Sequence, residues 1–283
     1  MTNKQKGIIC ITLSALSFAL MNALVRLAGD VPTIQKSFFR NFIAFIFAGI
    51  VILRSGEGLN YKKEDIPLLS LRSIAGTIGI LCNFYAVDHL NIADASMLNK
   101  LSPFFTIIFS YLFLKEKPKL IQTVGVIVAF TGSLFIIKPT MDISAFLPAL
   151  IGFTGGMGAG AAYTAVRALG KRKVKGPLIV FFFSGFSCLV TLPYLLFGYS
   201  PMSLKQLFVL LLAGLAASGG QFGITAAYSY APAKEISVFD YTNIIFAAIL
   251  GYFMFNQIPD VYSVIGYVII CGISVIMFFW NKE

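Results

Sequence analysis

Three charged side chains interrupt long apolar stretches of the sequence, and these residues could do chemistry there. Arg40 follows QKSFF, Lys100 follows ASMLN and Asp240 follows ISVF. A charge at the centre of a membrane-spanning helix costs about 2.5–3.5 kcal/mol, so such residues usually mark a functional site. Two cations and one carboxylate can together bind a zwitterion, with its carboxylate toward Arg40 and Lys100 and its amine toward Asp240.

The depths of the three charges differ if every helix is straight. Arg40 and Lys100 then lie roughly 10 Å below one membrane surface, and Asp240 lies roughly 10 Å from the other, at 1.5 Å per residue. In an apolar core of about 30 Å, contact between Lys100 and Asp240 requires tilted helices or an inward-reaching lysine. We therefore expect a cavity with a positive outer part and a negative inner part. The alternative is that a helix end, Asp30 or Asp94 holds Arg40.

Polar and aromatic residues on the same segments are candidates to line this cavity and bind substrate. Interhelical hydrogen bonding is the alternative role for each of them. Besides the three charges, the candidates are Asn22, Asn83, Tyr85, Asn99, Tyr163, Gln221, Tyr228, Tyr241 and Asn243. Asp240 is also the candidate to carry a coupling proton. Arg26, Arg72 and Arg167 lie near segment ends, where long side chains can reach the lipid headgroups.

Residues that bind metals or attack substrates are sparse. The single histidine, His89, and four separated cysteines give no metal-ligand spacing and no CxxC pair. The sequence also lacks a GxxxxGK[ST] loop for ATP. We therefore expect no metal and no cofactor. An intramembrane enzyme would need paired carboxylates, a histidine cluster or a Ser/Lys dyad, so this class is a remote alternative.

The composition is that of a membrane protein, because 58% of the residues are hydrophobic and only 12% are charged. A spanning helix needs about 20 apolar residues, and ten segments qualify. They are 7–27, 34–53, 69–87, 93–114, 120–137, 144–169, 176–197, 204–230, 234–256 and 261–280. The sequence thus predicts an all-α, multi-pass integral membrane protein of the cytoplasmic (inner) cell membrane.

The second half of the chain repeats the first at a constant offset of 141 residues. Without a gap, Ala86 aligns with Ala227 and Gly125 with Gly266. This register predicts two five-helix repeats, residues 1–141 and 142–283. An odd number of spans makes the second repeat enter the membrane in the opposite direction. Inverted repeats of this kind are typical of secondary transporters, whose site lies near the midplane between the halves.

The basic residues predict the orientation, because Lys and Arg favour cytoplasmic segments. With the N-terminus inside, 14 of these residues fall on the cytoplasmic side and only three, Lys36, Lys138 and Lys205, fall outside. Both termini are therefore predicted to be cytoplasmic. The net charge of +10 is then largely a topology signal, and we expect no nucleic-acid partner.

Several motifs resemble those of the EamA branch of the drug/metabolite transporter superfamily, over nearly the whole chain. They are FFRN at 38–41, LRS at 71–73, LSPFFTIIFSYLFLKEK at 101–117 and the counterpart of the last at 241–259. The second half departs from the pattern, with Ile244 where proline is common and Gln257 where glutamate is common. The resemblance implies a ten-helix, two-repeat carrier of small metabolites, often an exporter of amino acids or related compounds.

We therefore expect a secondary transporter that exports an amino acid or a similar zwitterion by alternating access. A bulkier cargo such as S-adenosylmethionine or a nucleoside-like metabolite is the alternative, and it would suit a site dominated by Asp240 and aromatic faces. A scaffold protein would need neither deep charges nor an inverted repeat. The expected partners are the substrate, membrane lipid and either a coupling proton or a counter-substrate, and the sequence leaves monomer and homodimer open.

Overall fold

The computed structural model describes residues 1–55, 61–115, 117–137, 143–230 and 237–280, and α-helices dominate these ranges. The helices are α1 (Asn3–Leu27), α2 (Thr33–Ser55), α3 (Ile66–His89), α4 (Ile92–Asn99), α5 (Ser102–Leu114), α6 (Leu120–Ile137), α7 (Ile143–Lys171), α8 (Gly176–Phe197), α9 (Leu204–Tyr230), α10 (Thr242–Phe255) and α11 (Val261–Trp280). Short 3₁₀ segments cover Lys63–Asp65 and Ser237–Tyr241. Seven described helical stretches are long and apolar enough to cross a membrane. The all-α membrane prediction is confirmed.

Two of the ten predicted spans are interrupted near the middle of the bundle. The fourth span consists of α4 and α5, joined at Lys100 and Leu101, and the ninth consists of a 3₁₀ segment followed by α10. Pro103 explains the first break, because proline has no amide hydrogen and favours the first turn of a helix. Ile244 stands at the equivalent position of the second half. The second break therefore forms without a proline there.

The two halves interlock. Helix α1 packs most extensively against α9, and its counterpart α7 packs against α3, the counterpart of α9. Helices α2 and α8 pair in the same way, as do α6 and α11. Even the ends of α5 and α10 match, since Lys115 (φ 55°) and Asn256 (φ 51°) are both left-handed and 141 residues apart. The proposed boundary at 141/142 falls in residues 138–142, outside the described ranges, and stays a prediction.

Small residues let the paired helices approach closely. A methyl group added to Gly79 of α3 would lie 3.2 Å from the carbonyl oxygen of Gly155 in α7. Across the equivalent pair, the Ser14 hydroxyl in α1 donates to the carbonyl of Gly220 in α9 at 2.6 Å. Such contacts supply the packing that lipid cannot, because lipid gives helices no hydrophobic reason to associate. They hold the two halves around the broken spans.

Candidate functional site

A cavity of about 110 Å³ lies between the halves, near the middle of the helices. Residues of eight α-helices and of the 3₁₀ segment Ser237–Tyr241 contribute to its lining. Its polar lining residues are Asn22, Arg40, Arg72, Asn83, Ser96, Asn99, Lys100, Tyr163, Gln221, Asp240 and Asn243. This location is the one expected for the substrate site of an inverted-repeat transporter.

The two helix breaks meet at an ion pair. Lys100 directly follows α4, and its Nζ lies 2.6 Å from Oδ2 of Asp240 in the 3₁₀ segment before α10. The neighbouring Tyr241 hydroxyl donates to the carbonyl oxygen of Lys100 at 3.4 Å. Lys100 and Asp240 therefore make the contact that straight helices were expected to prevent. That expectation assumed straight helices, whereas both spans are broken at these residues.

Arg40 is buried at 3% exposure and points into the cavity. Its Nη1 donates to Oδ1 of Asn41 at 2.6 Å. The Asn41 amide in turn donates to the hydroxyl of Ser187 in α8 and to the carbonyl of Ser37, each at 2.9 Å. These bonds fix the direction of the guanidinium without a carboxylate. Within the described ranges, neither Asp30 nor Asp94 pairs with Arg40, and Asp94 instead accepts from Tyr267 at 2.6 Å.

Arg72 also lines the cavity, and the prediction that it reaches the membrane surface is wrong. Helix α3 begins at Ile66, so Arg72 is its seventh residue and is only 6% exposed. Its guanidinium lies 4.0 Å from the ring centre of Phe183, and the guanidinium of Arg40 lies 5.9 Å from the same ring. Gly76, one turn after Arg72, leaves room for this guanidinium. A glycine four residues after a helical arginine is the sequence signal that could have identified the site.

The cavity lining has more positive than negative charge. Arg40, Arg72 and Lys100 face a single carboxylate, Asp240, among the described lining residues. In that part of the chain, no carboxylate lies within ion-pair distance of either arginine. The Nε atoms of both arginines and the Oδ1 atoms of Asp240 and Asn83 are buried without a hydrogen-bond partner. Buried charges are normally paired, so this arrangement is suited to a ligand with acidic groups and an amine.

Side-chain amides connect the helices around the cavity. Asn83 of α3 donates to Oδ1 of Asn22 in α1, and Asn22 donates to the Ser96 hydroxyl in α4, each at 3.3 Å. Asn243 donates to the Ala15 carbonyl at 2.7 Å. These three candidates thus make the interhelical hydrogen bonds that were their alternative role, while they also line the cavity.

The remaining candidates occupy different positions. Asn99, Tyr163 and Gln221 line the cavity. Tyr85 does not line it and stacks on His89, with 4.1 Å between the ring centres. The side chain of Tyr228 lies outside what the structure describes. Substrate binding by any of the candidate residues stays a prediction.

One end of the bundle, here called the Lys36 end, is tied by buried polar contacts. Lys36 at the start of α2 is fully buried, and its Nζ lies 2.6 Å from Oδ1 of Asp88. Arg26 donates to the carbonyls of Val87 and Leu90 at the end of α3, and its contact with the headgroups stays a prediction. These contacts hold α1, α2 and α3 together.

Contacts between the halves also occur at the Lys36 end. The amide of Ile92 donates to Oε1 of Gln257 at 2.9 Å, and the guanidinium of Arg26 lies 5.6 Å from the ring centre of Phe255. The opposite end, here called the Arg172 end, has a more exposed ion pair between Arg172 and Asp65 at 3.2 Å. Both ends therefore have contacts between the halves, and the ion pair at the Lys36 end is the more buried of the two.

Sequence and structure comparisons are consistent with this architecture. The EamA-like transporter family matches twice, at residues 5–138 and 146–279. The pseudopaline exporter CntI of Pseudomonas aeruginosa is 32% identical over 94% of this chain and 93% of its own length. The S-adenosylmethionine uptake transporter of Rickettsia prowazekii is 25% identical over 98% and 94%. A crystal structure with 13% identity matches 99% of both chains with a TM-score of 0.67.

Proposed function

This chain belongs to the EamA-like transporter family, and from that premise we propose that it exports an amino acid or a similar zwitterion by alternating access. One observation carries the proposal. The cavity between the repeats contains the Lys100–Asp240 pair at the two helix breaks, with Arg40 and Arg72 beside it. A carboxylate can bind a guanidinium there while an amine binds Asp240.

Binding of an amine at Asp240 can drive a conformational change. Oδ2 of Asp240 accepts from Lys100, whereas Oδ1 is buried without a partner. An ammonium that binds this carboxylate competes with Lys100. Because each residue sits at a break in its span, loss of this pair loosens the contact between the two halves. The same carboxylate is the candidate to carry a coupling proton in place of the amine.

The proposed export uses the difference in burial between the two ends. The ion pair at the Lys36 end is buried, whereas Tyr163, which lines the cavity on the half of α7 nearer the Arg172 end, is 45% exposed. The basic residues predict that the Arg172 end is cytoplasmic. Cargo from the cytoplasm would then enter the cavity in this conformation and leave after the Lys36 end opens.

A cationic cargo is the second candidate, because one relative is named as an S-adenosylmethionine uptake transporter. It would use Asp240 and aromatic faces, of which Phe183 is the one nearest the arginines. The excess of cations around the cavity argues against this candidate, since like charges repel. Competition by methionine and by adenosine fragments separates the two cargoes.

The test is transport by purified protein in liposomes, supplied with a mixed metabolite pool and read by mass spectrometry. We expect one amino-acid-like compound to accumulate, and we expect Asp240→Asn and Lys100→Ala to abolish this accumulation. Arg54→Gln is the matched charge control, because Arg54 is exposed in the last turn of α2. No accumulation under either a proton gradient or exchange conditions would contradict the proposed function.

A further inference from the structure

We propose that the cargo is net anionic, with at least two negative charges on its acidic groups and one amine. This inference rests on the proposed function and narrows its substrate class. It follows from how Arg40 and Arg72 are buried and from the charge that they leave unmatched. A simple zwitterion carries one acidic group too few.

The two arginines are buried and held in position, unlike the mobile cations of a surface patch. Both are more than nine-tenths buried, and the Nε of each is buried without a hydrogen-bond partner. Asn41 fixes Arg40 through a bond of 2.6 Å, and the ring of Phe183 supports the guanidinium of Arg72 at 4.0 Å. A cation–π contact of this kind contributes about 0.5–2 kcal/mol, which is less than the several kcal/mol that burial of an unpaired charge costs. Both guanidiniums therefore favour an anionic partner from the cargo.

Counting charges gives the minimum number of acidic groups. Asp240 neutralises Lys100, so Arg40 and Arg72 together need two negative charges. A zwitterion supplies only one, and its ammonium shares Asp240 with Lys100 through the Oδ1 atom. Two guanidiniums then compete for one cargo carboxylate. A cargo with two negative charges and one amine supplies a partner to each guanidinium while its amine occupies the Oδ1 side of Asp240.

Two chemical groups satisfy this requirement. Guanidinium forks bind both carboxylates and phosphates through paired hydrogen bonds. The shared chemistry is an acidic head with two negative charges, from either two carboxylates or one phosphate monoester. Both arginines lie within 6 Å of the Phe183 ring, so they can contact one such head. Matched amino acids distinguish the two sources.

The experiment uses liposomes that contain the full-length protein and a cell metabolite extract. The number of acidic groups on the accumulated compound is read by mass spectrometry. Glutamate against glutamine, and O-phosphoserine against serine, then compete with that compound as matched pairs. We expect an accumulated compound with at least two negative charges and stronger competition by the charged member of one pair. The glutamate pair indicates carboxylates, and the phosphoserine pair indicates phosphate.

Arginine variants connect the charge requirement to the site. Arg72→Gln and Arg40→Gln should each reduce the preference for the diacidic over the monoacidic compound by roughly tenfold or more. Arg72→Lys keeps the charge and should retain part of the preference, which separates loss of recognition from misfolding. Arg54→Gln should leave the preference unchanged. Each variant is first checked for wild-type elution by size-exclusion chromatography.

The outcomes separate this inference from the proposed function. Accumulation of a compound with a single acidic group would overturn the inference and leave the transporter intact. An unchanged preference in both folded arginine variants would overturn it as well. No accumulation of any compound would contradict the proposed function and, with it, the inference.

Discussion

At the scale of single residues, the site depends on what fixes the direction of each buried guanidinium. Arg40 is held by Asn41, whose amide is itself bonded to α8 through Ser187. Arg72 is held by packing, because its guanidinium fills the space between Gly76 and the face of the Phe183 ring. The two arginines can therefore be disturbed separately, without removing either positive charge.

Replacing Asn41 with alanine should weaken cargo binding more than it slows transport. The guanidinium of Arg40 loses the acceptor at 2.6 Å and is no longer aimed at the cavity. A hydrogen bond to a charged group contributes about 1.5–3 kcal/mol, so we expect KM to rise by roughly tenfold or more with a smaller change in kcat. Flux measured over a range of cargo concentrations gives both constants. Ser187→Ala, which removes one bond to Asn41, should show a smaller rise in KM.

Replacing Gly76 with alanine should displace Arg72 while keeping its charge. The new methyl group would lie 2.9 Å from a carbon of the Phe183 ring and would collide with the guanidinium of Arg72. Both are ends of side chains that can move, so the protein should fold while transport falls by roughly tenfold. Gly272→Ala in α11 is the control, since its methyl group meets nothing within 4 Å. Equal transport by both variants would mean that the position of Arg72 is unimportant.

At the scale of helices, the break between α4 and α5 is fitted to α7. Gly156 and Gly160 face the backbone of the broken span, at Leu98 and at Ser102 respectively. On the opposite side, Ala15 of α1 accepts a hydrogen bond from Asn243 near the start of α10. The first helix of each half thus supports the break of the other half. Small residues are required at Gly156 and Gly160, because the atoms that they face are backbone or lie next to it.

Gly156→Ala should destabilise the protein and reduce transport. Its methyl group would collide with the carbonyl oxygen of Leu98, which is backbone and cannot rotate away. Overpacking of this kind typically costs about 1–3 kcal/mol. Gly170→Ala lies on the same helix and meets nothing within 4 Å, so it should retain wild-type stability. Thermal unfolding in detergent measures both, and equal unfolding temperatures would contradict the proposed fit of α7 to the break.

The sequence predicted the spans better than their interruptions. Helices α6, α8, α9 and α11 begin and end at the predicted residues, because hydropathy depends on segment length and composition. Hydropathy does not register a break inside an apolar segment. Pro103 was a usable signal for the first break, whereas Ile244 at the equivalent position gave none for the second. The assumption of straight helices therefore separates Lys100 from Asp240, whereas the structure pairs them.

Arg72 was missed for a related reason. The depth expected for Arg72 depends on the residue at which α3 begins. An error of three residues in that position moves a side chain by about 4.5 Å along the helix. Arg40, Lys100 and Asp240 were identified because they lie farther from the segment ends. The bond from Arg40 to Asn41 and the ion pair between Lys100 and Asp240 depend on tertiary packing, which periodicity alone does not describe.

At the scale of the whole molecule, alternating access requires that one end can open while the other is held. The Lys36 end contains a fully buried ammonium paired with Asp88, whereas Arg172 at the opposite end is 48% exposed in its pair with Asp65. Removing one partner of a buried ion pair costs about 3–5 kcal/mol, whereas exposed pairs contribute about 0–1 kcal/mol. The Lys36 end therefore depends on its ion pair far more than the Arg172 end does.

Asp88→Asn should shift the transporter toward a conformation open at the Lys36 end. The change leaves Lys36 as a buried, unpaired charge, which water can solvate only if that end opens. Ser96→Cys, in a variant without the four native cysteines, reports the opening, because Ser96 lines the cavity and is 1% exposed. A membrane-impermeant thiol reagent applied from the Lys36 side should label it at least tenfold faster in Asp88→Asn than in the parent. Arg172→Gln should leave this rate unchanged, and equal labelling in all three proteins would show that Lys36 and Asp88 do not control this end.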